Sequence, residues 1–158
     1  LFRSRSVPDM ESVSSVILMP LDDYTTSMQL MAYMAAGDAD IYFVNEQTFK
    51  SYAAQGSLLE LEDLVGNGTI AVSDIDLSKG YVTYIDDYDE NGKPVNNSVH
   101  LFGIPLDTFY GYMGGMAVDN RSMFAVITVN NQNDENMIPF FNALLQAGRG
   151  EKEDWITE

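Results

Sequence analysis

Asp87, Asp89, Asn91 and Gly92 place oxygen donors at alternate positions and end on a glycine that permits a turn. That is the opening of a calcium-binding loop, in which alternate side chains point inward at the ion. The twelfth position of such a loop is Ser98 rather than glutamate. Without the bidentate carboxylate the loop would bind calcium weakly, and an acidic Asn-Gly hairpin tip is the competing reading. His100 is the only histidine, and in a strand-like setting it reads as a surface or satisfied polar residue. No HExxH, GxSxG, P-loop or GxGxxG pattern occurs, so metal-assisted hydrolysis, Ser–His catalysis and nucleotide use lack their usual parts. Asp22 and Asp23 are paired carboxylates, yet adjacent residues rarely give the opposed geometry a glycosidase needs. The chain therefore reads as non-enzymatic, with no cofactor beyond the weak calcium loop.

Charge narrows the partners. The 158 residues carry 8 Lys+Arg against 24 Asp+Glu, a formal net charge of -16. Such a field repels phosphate backbones and anionic lipid, so nucleic acid is not expected as a partner. Sugars and other small polar solutes remain compatible with it. Cysteine is absent, which removes disulfides and thiolate chemistry. No run of about 18 apolar residues could span a bilayer. The opening LFRSRSVPDMES reads as a linker or trimmed anchor region, residues 1–12, so membrane attachment would run through an anchor absent from this chain. With 46% hydrophobic residues, residues 13–147 are expected to form one domain, followed by a polar tail over 148–158.

The elements that must position these residues follow from periodicity. SSVILM (Ser14 to Met19), closed by Pro20, reads as a strand covered on both faces. Thr26 and Gln29 have the form of a capping box for a helix. Its inward face would hold Leu30, Met31, Met34 and Ala35, and Gly37 would stop it. Ile41 to Val44 is a second continuous apolar run, completing a strand–helix–strand crossover that implies parallel strands. Asn45 can cap the next helix, with Phe49, Tyr52 and Ala53 facing inward and Gly56 ending it. SLLELEDL is either a capped helix (Ser57, Glu60) or an extended stretch and a short turn. The β-rich flanks of an Asn91-Gly92 turn suggest a hairpin or a long excursion between two extended segments, followed by a buried strand from Phe124 to Val129 and a helix presenting Phe140, Phe141, Leu144 and Leu145. The fold expected is α/β, a mainly parallel sheet flanked by helices.

In open parallel sheets, ligands sit beyond the carboxyl ends of strands. Those positions are Asp22, Asp23 and Tyr24, then Asn45 and Glu46, then Asp107, Phe109 and Tyr110. Tyrosine and phenylalanine rings would stack on a sugar while carboxylates and Asn45 bond its hydroxyls. Asp22, Asp23 and Asn45 serve equally well as turn and cap residues.

AAGDADIYFVNEQTFKSYAAQGSLLELEDL, the later GIPL and ITVNNQNDENMIPFFNALL resemble, in that order, segments of the extracytoplasmic solute-binding proteins of ABC importers. The likeness covers most of residues 13 to 147. It implies one lobe of a periplasmic-binding-protein-like (type II) fold, displayed at a bacterial cell surface as a lipoprotein or membrane-anchored domain. Family members close two lobes on a ligand, commonly a sugar or peptide, whereas no room remains here for a second lobe of about 100 residues. A single lobe implies recognition of a small polar solute on an open face. The alternative is a protein-interaction module without a small-molecule site, its partner supplying the missing lobe.

Overall fold

A computed structural model describes residues 23–72, 74–109, 121–131 and 135–149. The helix α1 (Tyr24–Ala36) is followed by strand β1 (Ile41–Asn45), helix α2 (Glu46–Ala54) and the short helix α3 (Glu62–Gly66). A 3-10 turn (Ser78–Gly80) leads into β2 (Tyr81–Tyr88) and β3 (Pro94–Leu101), then β4 (Ile104–Pro105), β5 (Met123–Ile127) and helix α4 (Met137–Gly148).

The expected parallel sheet is corrected. The strand order is β1-β5-β4, with both pairings of β5 antiparallel, and β2 and β3 form a separate antiparallel pair. Among the described residues no strands pair in parallel; the run Ser14 to Met19 lies outside them. The error has a physical cause: a continuous apolar run reports burial on two faces, and strand direction is a separate matter. All five residues of β5 are buried, yet it is antiparallel to both neighbours. Met123, Ala125 and Ile127 join one core cluster with Leu61, Ile104, Phe141 and Leu145. Phe124 and Val126 join the other with Leu30, Met34, Phe49 and Phe102. Alternation along the pleat thus sends one strand into two cores, and the Phe49 ring stacks on Phe124 at 4.2 Å between centroids.

Helix ends follow local chemistry. Asp23 caps α1 by accepting from the Thr26 N–H at 3.2 Å, so the helix starts before the Thr26 box and Thr26 is buried. Its inward face holds Thr26, Leu30 and Met34; Met31 and Ala35 are exposed. Gly37, at φ 67, ends it as expected. Asn45 caps α2 through the Thr48 N–H at 2.9 Å, and Gly56 follows at φ 68. SLLELEDL resolves as an extended stretch and a short helix. The Leu59 N–H donates to the Ile127 carbonyl and the Leu61 N–H to the Leu101 carbonyl, each at 2.8 Å. In α4, Pro139 sits in the first turn, where its missing N–H costs little. Asn142 holds the loop after α3 by donating to the Thr69 carbonyl and accepting from the Ala71 N–H.

Gly80 and Gly103 are in close approach: a Cβ on Gly80 would lie 2.0 Å from the Gly103 carbonyl oxygen, whereas one on Gly66 would meet nothing within 4 Å. Gly80→Ala is expected to lower unfolding free energy by about 1–3 kcal/mol. Gly66→Ala should stay within about 0.5 kcal/mol of the parent in the same urea titration.

Candidate functional site

The strand-end positions converge in part. Asn45 pairs with Met123 at the end of β1, and on the other side of β5 the Leu106 N–H donates to the Met123 carbonyl at 2.9 Å just after β4. Because β5 is antiparallel to both, the carboxyl ends of β1 and β4 share one edge of the sheet, with Asn45 and Leu106 about 10 Å apart across it. Asp107 follows Leu106 at that edge. Its Oδ2 lies 3.3 Å from Lys79 Nζ and its Oδ1 accepts the Ser122 N–H at 3.2 Å, so it anchors the turn entering β5.

Beside Asn45, α1 and α2 enclose a surface groove of about 260 Å³. Asn45, Gln47, Thr48, Ser51 and Gln55 offer amides and hydroxyls, and Ser27 faces them from α1. Leu30, Met31 and Tyr52 supply apolar surface. Gln47, Ser51 and Gln55 are the residues that sequence reasoning missed, and the helical spacing of 47, 51 and 55 was the signal available. Asp23 and Asn45 spend one oxygen each on helix caps. Tyr24 is exposed at the start of α1, and Glu46 pairs with Lys50 one turn on. Phe109 is 1% exposed in the core, so its ring presents no open face to a sugar. Asp22 and Tyr110 lie outside the described residues.

At the hairpin tip, Asp89 Oδ1 accepts the Asn91 and Lys93 N–H groups, both at 2.9 Å. The Gly92 N–H closes the turn on the Asp89 carbonyl, with Gly92 at φ 74. Asp87 Oδ1 accepts the Tyr88 N–H. These carboxylates shape an Asn-Gly turn, with Asn91 at its apex.

A second cluster lies at the far end of β3. His100 Nδ1 is 3.3 Å from Glu62 Oε1 and 3.5 Å from Glu60 Oε2, and its Nε2 is 2.6 Å from Ser98 Oγ. Glu62 Oε1 also accepts the Leu101 N–H at 2.6 Å. With Asp63, the two glutamates and the histidine line a hollow of about 270 Å³. Ser98, His100 and Glu62 have the connectivity of an acyl-transfer triad, but the proton order is reversed. The Ser98 hydroxyl donates to Asp86 Oδ1 at 2.7 Å, and a carboxylate can only accept. Ser98 must therefore receive the ring's Nε2–H, so the imidazole is a donor to this serine and not its base.

Burial pushes the Tyr42 phenol of β1 up to about 12, with Asp38 and Asp40 adding to the effect; burial also raises Tyr52 at the groove. Folded Tyr42 keeps its proton where the unfolded chain loses it, so its contribution is complete below pH 10 and declines as pH rises through 10 toward 12. Denaturant midpoints should fall across that window, and Tyr42→Phe should flatten the fall. Asn45→Ala removes a helix cap and should cost about 1 kcal/mol in the same titration at neutral pH. No family model, curated protein or solved structure matches this chain.

Proposed function

We propose that this chain is a non-enzymatic, extracytoplasmic solute-binding domain, and that it recognises a sugar or another small polar solute. The observation that carries the reading is the groove at the carboxyl end of β1, lined by neutral amides and hydroxyls together with Leu30, Met31 and Tyr52. That combination suits a sugar, whose hydroxyls need donors and acceptors in the plane of the ring while its C–H faces need apolar contact. The order of motifs across residues 13 to 147 supports the same class. A net charge of -16 disfavours anionic ligands. One wall buries less of a ligand than two, so affinity is weak and millimolar ligand is the right range.

A second reading, a lobe used for protein contact, is favoured by Tyr24, Met28 and Met31. They are 77%, 46% and 51% exposed and share one face of α1. Thermal unfolding against mono- and disaccharides separates the two. A sugar at a hundred times its dissociation constant should raise the midpoint by about 5–10 °C, and Gln47→Ala should reduce that rise. No shift with any sugar or small polar solute would overturn solute binding. Concentration-dependent association that Met31→Asp abolishes would then establish the contact role.

A further inference from the structure

We infer that Glu60, Glu62 and His100 bind a divalent transition-metal ion, with Zn²⁺ the best fit. The first argument is protonic. Ser98 gives its only hydroxyl hydrogen to Asp86 at 2.7 Å and therefore accepts from His100 Nε2 at 2.6 Å. A neutral ring held this way turns its lone pair, on Nδ1, toward two carboxylate oxygens at 3.3 and 3.5 Å. Lone pair against two anions is repulsive unless a positive charge lies among them; a proton on Nδ1 or a metal ion supplies it, and the metal would displace the proton. Ser98 and Asp86 then act as the outer partners that fix tautomer and ring angle in metal-binding histidines.

The second argument is geometric. Ligands at about 2.1 Å from a tetrahedral zinc are about 3.4 Å apart, and the two measured separations bracket that edge. The three donor atoms all lie within 4.8 Å of one another. The Glu62 side chain is partly exposed, and its Oε2 finds no hydrogen-bond partner among the described residues. The set is also held before any ion arrives. Leu61, fully buried between the two glutamates, is pinned by its N–H to the Leu101 carbonyl, and the Leu101 N–H returns to Glu62 Oε1. Glu60 ends the extended stretch and Glu62 opens α3, and both carboxylates reach His100 Nδ1. Three protein ligands beside an open hollow leave a position for water or a fourth donor. A mixed nitrogen and oxygen set favours zinc over calcium or magnesium, which prefer oxygen alone.

The test is calorimetric titration of the EDTA-treated full chain with ZnCl₂ at neutral pH. One ion per chain is expected. Glu60→Gln and His100→Gln should each weaken binding at least about 100-fold, and Ser98→Ala, which removes only the outer partner, about 10-fold. Asp89→Asn at the hairpin tip should leave the affinity unchanged. Circular dichroism checks each variant's fold; Glu60 is exposed, so Glu60→Gln decides the matter if His100→Gln does not fold. Absence of stoichiometric binding, or binding that persists undiminished in Glu60→Gln, would overturn the proposal. So would a proton on Nδ1, seen by nitrogen-15 NMR, that excess zinc does not displace.

Discussion

The structure depends on β5 being buried on both faces. Its alternate side chains enter two separate clusters, and its two edges pair with β1 and β4. A strand in that position satisfies its backbone on both sides and removes apolar surface on both faces. The other elements are placed by what they must cover. Helices α1 and α2 supply Leu30, Met34, Phe49 and Ala53 to one cluster, while α4 and the loop through Ile70 and Val72 close the other. Phe49 stacked on Phe124 ties α2 directly to the central strand.

Both polar sites are by-products of that arrangement. The antiparallel fit of β5 between β1 and β4 brings Asn45 and Leu106 to one edge, and the groove opens where α2 leaves β1. At the opposite end of β5, the Ile127 carbonyl holds Leu59, and the extended stretch continues to Leu101. That stretch carries Glu60, and the first residue of α3 carries Glu62, to His100. Acidic side chains converge there because Leu61 between them is committed to the core, so the intervening residue dictates where its neighbours point.

Legibility divided along the same line. Gly37, Asn45 and Gly56 act as the stops and cap expected of them because their signals are local: a left-handed φ or a side chain reaching three residues on. The Asn91-Gly92 turn belongs to the same group. Thr26 misled because Asp23 offers an equivalent oxygen three residues earlier, and burial of Thr26 settled the competition. Met31 and Ala35 fit a helical stripe on paper, yet α1 turns them outward because its contact with the core is narrow. Phe109, read as a ring for stacking, is core. No local pattern marked it as core; its packing with Leu106 and Met123 does.

The glycine stops of α1 and α2, the Asn45 cap, the Asn-Gly turn, the acidic charge and the missing enzyme motifs were determined by sequence alone, since each depends on a few neighbouring residues or on simple counting. Strand direction was not. Ile41 to Val44 and Phe124 to Val129 are apolar runs whose burial is compatible with either sense of pairing, and the choice rests on contacts between residues about 80 positions apart. The cluster of Glu60, Glu62 and His100 belongs to tertiary structure for the same reason: its members meet only because Leu61 is anchored beside Leu101, a hydrogen bond between distant segments that no local pattern specifies.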